Sequence, residues 1–427
     1  MEILQRCDGT ITVAEIAEQL LHMRKDYDRE QILESVLLFL TEAWQKGIVQ
    51  VQSSPARNAV NCTGSTEYYI PLHMAVELTL NCNLRCIYCY RDAGPAHAER
   101  LPTDQLLSIL QELSCAGVRG VELTGGEPLI HPDFPQILDN CANQFNMLTL
   151  LTNGCLIDED LAIQIASYRE KLVVQIDLDG STPEVHDHIR GQAGAFKKAK
   201  QAISLLAKHQ VRTRVVMNVI PFNANDVEKT LLLARELGAT SFTYSHVLDV
   251  GRGKDIDLQF TAEQAENLGY RLRKYFQEKY EGFYFVPPPD LEESFWSVGN
   301  CGLGHRSIVL GPTGKVRPCL LLPEEYLVIG DLSRDPIEKV FADPVITFLS
   351  NIRAPNQQEC GDCPYVAYCM YCITRAIFAQ QKRGQSCQWF QTNQVGDWVY
   401  LVNREGSENR SSMLCPQVAH HDPVSEI

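Results

Sequence analysis

Asn81-Cys82-Asn83-Leu84-Arg85-Cys86-Ile87-Tyr88-Cys89-Tyr90 sets three cysteines in a C-x3-C-x2-C spacing directly after residues 75–80, a run that reads as a β-strand. Multiplying residue frequencies gives about a 0.02 chance of that spacing in a chain of this composition, so accident explains it poorly. Three thiolates on one short loop can hold three irons of a cubane cluster and leave the fourth iron open. Structural zinc normally takes four protein ligands, so a zinc loop completed by a remote fourth ligand is the alternative.

Outward from this loop, short β-branched runs alternate with helical stretches. Strands are expected at 75–80, 120–124, 147–152, 172–177, 212–220 and 241–247, and helices at 104–116, 159–167, 195–208 and 227–237. Six β/α units in series imply an α/β fold with a parallel sheet and helices outside, either doubly wound or curled into a partial barrel. Either arrangement puts the ligand at the C-terminal ends of the strands. Past Gly251 the alternation stops. A helix at 261–280 and the breaker Pro287-Pro288-Pro289 lead into a loop-rich region, which is expected to draw order from metal.

The whole chain has 427 residues, enough for two or three domains. Its charge of −15, from 53 acidic against 38 basic residues, argues against a nucleic-acid or anionic-membrane partner. No basic flank precedes an apolar segment at the N-terminus, and apolar runs such as 36–40 fall far short of the roughly 20 residues of a membrane span. A cytoplasmic location is expected, where the 16 cysteines stay reduced and clustered thiols bind metal.

The cysteine loop, with Tyr88 at the aromatic position, resembles the radical S-adenosylmethionine (SAM) superfamily, whose fold is a partial (β/α)6 barrel. Gly125-Gly126-Glu127-Pro128, after the second strand, is similar to that family's motif for the SAM amino group. Asn153 after the third strand, Asp179-Gly180 after the fourth, and Arg190, which looks like the arginine that meets the SAM carboxylate, extend the match. Asp177 departs from it, because relatives often carry serine there; the resemblance leaves it to ribose hydroxyls or to a solvated strand end. The implied catalytic trio is Cys82, Cys86 and Cys89, holding a [4Fe-4S] cluster that reductively cleaves SAM.

Cys301-x12-Gly314-x4-Cys319, then Cys360-x2-Cys363-x5-Cys369-x2-Cys372, then Cys387, resembles the SPASM domain, an extension carrying two auxiliary [4Fe-4S] clusters. The family has x3 between the cysteines that correspond to Cys369 and Cys372. By position, Cys301, Cys319 and Cys372 fall to auxiliary cluster I, and Cys360, Cys363, Cys369 and Cys387 to auxiliary cluster II. Cluster I is then one ligand short, leaving an iron open to substrate, water or His305. Zinc sites are again the alternative. The other cysteines, Cys7, Cys62, Cys115, Cys141, Cys155 and Cys415, lack cluster spacing, and Cys115 and Cys141 are expected as small core residues.

At the N-terminus, Thr12 and Glu15 stand in capping-box spacing before an amphipathic helix. A second helix at 30–46 and a short strand at 47–51 follow, and the stretch is similar to the helical part of PqqD-type, winged-helix-like domains, which bind leader segments of precursor peptides. The expected domains are 1–60, 72–255 (barrel), 256–298 (connector), 299–395 (SPASM) and 396–427 (polar tail), with a linker at 55–66.

The resemblance implies a 5′-deoxyadenosyl radical that abstracts hydrogen from a residue of a ribosomally synthesised precursor peptide and leads to a thioether or carbon–carbon crosslink or a related modification. A flavodoxin- or ferredoxin-type protein is the expected electron donor. The alternative is oxidation of a small molecule or cofactor precursor such as a tetrapyrrole. Sulfatase maturation fits less well, because such enzymes carry a further cysteine near Cys301 and an acid where this chain has Leu320.

Overall fold

The computed structural model describes residues 2–23, 27–45, 48–55, 57, 65, 67–248, 250–257, 260, 264, 268, 272–284, 300–361, 363, 369, 372–383 and 387–393. The chain divides into two units, Met1–Gly64 and Ser65–Ile427.

In the first unit, α1 (Val13–Met23) and α2 (Arg29–Gln45) pack through Ile16, Ala17, Leu20, Ile32 and Val36. The capping box forms: Thr12 N–H donates to Glu15 Oε2 at 2.7 Å, and Glu15 N–H to Thr12 Oγ1 at 3.3 Å. A second one, unanticipated, starts α2, where Asp28 and Gln31 exchange the same bonds at 3.1 and 2.9 Å. The strand expected at 47–51 does not form over its described residues, 48–51. The N–H groups of Ile48 and Val49 turn back instead onto the Ala43 carbonyl. No other strand of this unit is present among the described residues to pair with it, and an unpaired strand has nowhere to place its backbone bonds.

The second unit is built on β1 (His73–Glu77), β2 (Gly120–Thr124), β3 (Met147–Thr152), β4 (Leu172–Asp177), β5 (Arg212–Val219) and β6 (Ser241–His246), all parallel and adjacent in sequence order. A doubly wound sheet reverses direction at a switch point; β1 to β6 run in one direction without a reversal, and the partial barrel is the outcome. Alternation along the strands sorts the two faces. On β4, Leu172, Val174 and Ile176 are buried against the helices, while Val173, Gln175 and Asp177 face the other way. The crossover helices α3 (Thr103–Ala116), α4 (Phe134–Gln144), α5 (Glu159–Ala166), α6 (Pro183–Arg190), α7 (Ala195–Lys208) and α8 (Val227–Glu236) complete the outer layer. On α7, Phe196, Ala199, Ala202, Ile203 and Leu206 form the buried stripe that helical periodicity requires.

β1 begins two residues earlier and ends three earlier than expected. The Thr79 carbonyl accepts from Gly126 N–H and the Leu80 carbonyl from Gly94 N–H, so this stretch already belongs to the loop layer. Of the helix expected at 261–280, Leu272–Lys279 is present, and most of its first half lies outside the described residues.

β7 (Ser307–Leu310) adds to β1 in parallel, and β8 (Lys315–Arg317) and β9 (Gly330–Asp331) follow antiparallel, so the C-terminal region extends the barrel sheet to nine strands. Apolar packing also contributes to its order. Ile308, Leu310, Val316, Ile329, Val340, Phe341, Ile346, Leu349 and Trp389 join the same hydrophobic core as the barrel. Their apolar side chains are dispersed over short elements, and so produce no long apolar run.

Candidate active site

The loop after β1 is held against the turn after β2 by backbone. Gly126 N–H donates to Thr79 O at 2.7 Å and Glu127 N–H to Asn81 O at 2.9 Å. A Cβ on Gly125, whose φ is +136°, would stand 2.2 Å from Thr79 O, and one on Gly126 2.4 Å from Asn81 O. Both glycines are therefore required by close approach of the two loops. The Glu127 side chain is sealed from solvent. Its Oε1 accepts from Thr152 Oγ1 (2.7 Å) and Leu129 N–H (3.1 Å), and its Oε2 from Asn153 N–H (2.8 Å). Burial pushes its carboxyl up to about 7 against those three bonds. Glu127 is thus a brace between the β2 and β3 loops. Asn153 continues it, donating from Nδ2 to Asn83 Oδ1 at 2.8 Å on the cysteine loop.

Cys82, Cys86 and Cys89 line one side of this assembly, packed with Leu84, Ala93 and Ala195. Burial pushes the Cys82 thiol up to about 12 and the Cys86 thiol up to about 11. Three donors already face the sulfurs: Leu84 N–H lies 3.4 Å and Asn153 Nδ2 4.0 Å from Cys82 Sγ, and Arg190 Nη1 lies 3.6 Å from Cys86 Sγ. Donors of this kind favour thiolate, the form that ligates metal.

Arg190 is the hub of the opposite wall. At the C-terminus of α6, its Nε pairs with Asp179 Oδ2 at 2.8 Å and its Nη2 with Asp177 Oδ2 at 3.3 Å. Asp177 is therefore neither free nor purely solvated. Asp179 also accepts from Tyr88 Oη at 2.7 Å and from Asn218 N–H at 2.8 Å, and Asn218 Nδ2 donates to Tyr88 Oη at 2.9 Å. The Tyr88 ring lies under the Arg190 guanidinium. His186 accepts the Asp179 N–H at 3.0 Å, and burial holds its imidazole neutral.

In the C-terminal region several thiols lie near one another. Cys372 lies close enough to Cys301 and Cys319 to raise the proton affinity of both, with burial pushing Cys301 up to about 12. Cys387, Cys363, Cys360 and Cys372 all lie near Cys369, whose thiol burial also pushes up to about 12. The His305 Nδ1 faces the Leu303 carbonyl at 3.2 Å, and its ring packs on Tyr69.

Several expectations change. Cys155 lies in the same packed group as Cys82, Cys86 and Cys89, so it belongs to the site's wall despite lacking motif spacing. Cys141 is fully buried, but Cys115 is exposed: α3 buries Leu106, Ile109, Leu110 and Leu113, and Cys115 falls off that face. Cys62 and Cys415 lie outside the described residues. Asn218 and the buried trio of Glu77, Arg91 and Arg317 escaped the sequence reading. A charged or amide side chain inside an apolar strand, as in Met74-Ala-Val-Glu77, was the available signal.

Among the described residues, no group of three or more His, Cys, Asp or Glu side chains converges on a single-ion site. Thiols faced by N–H and guanidinium donors fit metal-ligating thiolates. Residues 76–234 match the Radical SAM superfamily, 301–364 the SPASM iron-sulfur cluster-binding domain, and 1–49 Coenzyme PQQ synthesis protein D (PqqD). The chain is 31% identical over 407 residues to the antilisterial bacteriocin subtilosin biosynthesis protein AlbA of Bacillus subtilis (strain 168), covering 94% of this chain and 89% of that protein.

This chain belongs to the radical SAM superfamily.

As a radical SAM enzyme with a SPASM domain it uses SAM and iron–sulfur clusters. It is also 29% identical to the AdoMet-dependent heme synthase of Methanosarcina barkeri (strain Fusaro / DSM 804), over 72% of this chain and 93% of that protein. The fold is similar to that of Streptococcus suis SuiB bound to S-adenosylmethionine, with a TM-score of 0.59 at 16% identity, covering 85% of this chain and 84% of that one. No helix of this radical SAM enzyme, among its described residues, is long and apolar enough to cross a membrane.

Proposed function

We propose that this radical SAM enzyme modifies a residue of a ribosomally synthesised precursor peptide, forming a crosslink or a related oxidation product. The observation that carries this reading is the near full-length similarity to a protein of bacteriocin biosynthesis, with barrel, SPASM and PqqD-like regions all present. Cys82, Cys86 and Cys89 hold the first cluster. Cys301, Cys319 and Cys372 hold one auxiliary cluster, and Cys360, Cys363, Cys369 and Cys387 the other, making three [4Fe-4S] clusters. The Cys82, Cys86 and Cys89 thiolates would hold a cluster that, once reduced, would supply the electron for cleaving bound SAM to a 5′-deoxyadenosyl radical.

The chain's own residues position and enclose. The Gly125-Gly126 turn presents backbone to the SAM amino group, and Glu127 keeps that turn rigid through Thr152 and Asn153. Arg190 offers its guanidinium to the SAM carboxylate. Tyr88, Asp179 and Asn218 fix the arginine's plane, and Asp177 lies where ribose hydroxyls or the carboxylate would compete for it. A cytoplasmic flavodoxin or ferredoxin is the proposed donor.

Anaerobic protein with dithionite and SAM should release 5′-deoxyadenosine, and the Cys86→Ala variant should not. Absence of the nucleoside from iron-replete protein would sink the enzymatic reading. Coexpression with a short peptide encoded beside the gene should lower the peptide's mass by two hydrogens. The second reading, oxidation of a tetrapyrrole-like small molecule, draws on the heme synthase relative; an unchanged peptide together with turnover of a porphyrin precursor would favour it.

A further inference from the structure

Arg317, on β8, is fully buried two residues before Cys319. Its Nη2 pairs with Glu77 Oε2 at 2.6 Å. Its Nη1 donates to Leu322 O at 3.0 Å and reaches Leu320 O at 3.4 Å. Those carbonyls flank Leu321, whose N–H points at Cys319 Sγ from 3.4 Å. One guanidinium therefore braces the turn that supplies an N–H···S bond to a proposed cluster ligand.

Glu77, at the end of β1, is shared. Arg91, two residues past Cys89, reaches its Oε1 at 2.9 Å and its Oε2 at 3.0 Å. Arg91 also lies 3.5 Å from Glu324, a half-open carboxylate that faces Lys315 at 3.3 Å. The sealed part of this network holds two guanidinium groups and one carboxylate, so positive charge is in excess beside Cys319. Far from water such charge is weakly screened.

Iron–sulfur potentials follow net charge, hydrogen bonds to sulfur and solvent exposure. Reduction adds an electron, so a nearby cation and an N–H directed at sulfur both favour the reduced state. We infer that Arg317 is a positioning residue that raises the reduction potential of the cluster held by Cys301, Cys319 and Cys372, with Glu77 opposing it. The inference rests on the reading of those three cysteines as ligands. A higher potential suits a centre that receives the second electron of a substrate oxidation.

The test is anaerobic redox titration of the full-length, cluster-loaded protein followed by electron paramagnetic resonance. The relevant signal is the one lost in Cys319→Ala, and the signal lost in Cys89→Ala serves as control. Arg317→Met should raise the oxidised-to-reduced ratio of that cluster at least tenfold at fixed potential, equivalent to about 59 mV for one electron. Glu77→Gln should move it the opposite way, and Arg317→Lys, which keeps the charge, should stay within about threefold of wild type. A purely structural brace predicts shifts of the same sign, or none, in Arg317→Met and Glu77→Gln, and either result overturns the inference. Should Arg317→Met fail to fold, a Glu77→Gln potential at or below wild type overturns it equally. If no signal depends on Cys319, the ligand reading itself is wrong and the inference falls with it.

Discussion

Arg190 and Asp179 form an ion pair of 2.8 Å in which the two side chains are 4% and 0% exposed, and the same guanidinium extends to Asp177 at 3.3 Å. The arginine expected to receive the SAM carboxylate is thus already matched by two carboxylates, one of them 29% exposed at the mouth. Removing the outer one leaves the inner clamp intact while freeing positive charge. Asp177→Ser should therefore tighten SAM binding by about five- to tenfold, on the order of 1 kcal/mol for one charge-assisted contact. Arg190→Met should weaken it at least tenfold. Anaerobic calorimetry with SAM checks both, and weaker binding in Asp177→Ser would place that carboxylate among the SAM contacts instead.

Glu127 satisfies three donors, one buried and two half-buried, so its removal should register as instability before it registers as chemistry. Glu127→Ala leaves Thr152 Oγ1 and the N–H groups of Leu129 and Asn153 without their acceptor. At about 1–3 kcal/mol for each unsatisfied group, a loss of at least 3 kcal/mol is expected in urea unfolding of the cluster-free protein. A loss under 1 kcal/mol would show that Glu127 braces nothing.

Gly126→Ala tests the loop contact itself. Its new Cβ would lie 2.4 Å from Asn81 O and 2.7 Å from Leu80 O, both backbone atoms that cannot swing aside. The cysteine loop must move, and the expected result is loss of about four irons per chain, with the SPASM clusters retained. Full iron content in this variant would mean that the loop tolerates displacement.

A pH dependence follows from Glu122, which burial pushes up to about 7 from an ordinary 4.5, with Arg214 pulling it back down. The sign is that of a raised carboxyl: the folded state holds the proton more tightly than the unfolded chain. Its contribution is fully present below pH 4.5 and is lost as pH rises through 7. Glu122→Gln should therefore be more stable than wild type at pH 8, by about 1–3 kcal/mol, with the gain gone at pH 4.5. Thermal melts at the two pH values decide it, and an equal difference at both would show that Glu122 does not titrate between them.

Local signals carried much of the fold. Ala195–Lys208 could be read as a helix to the residue, because a stripe of Phe196, Ala199, Ala202, Ile203 and Leu206 is written in one stretch of chain. The β2, β3 and β4 strands were equally legible as short β-branched runs. Where local pattern and long-range bonding disagreed, bonding prevailed: the end of β1 was lost to loop contacts with Gly94 and Gly126, and the expected strand at 47–51 had no partner. The cysteine spacings named the ligand candidates for the same reason, since a loop or knuckle that grips a cluster is short.

By itself, the sequence determined the order of β and α elements, the three-cysteine loop, and the spacing of the C-terminal cysteines. Only the tertiary structure decided that Glu127 faces inward, that Arg190 is clamped by Asp177 and Asp179, that Cys155 joins the wall, and that Glu77 links Arg91 to Arg317. Periodicity and motif spacing are properties of neighbouring residues, which a chain displays in one dimension. The pairing of buried charges across as many as 240 residues of sequence, Glu77 to Arg317, depends on which strand ends the fold brings together, because a buried ion must find its counter-ion wherever the backbone has placed one.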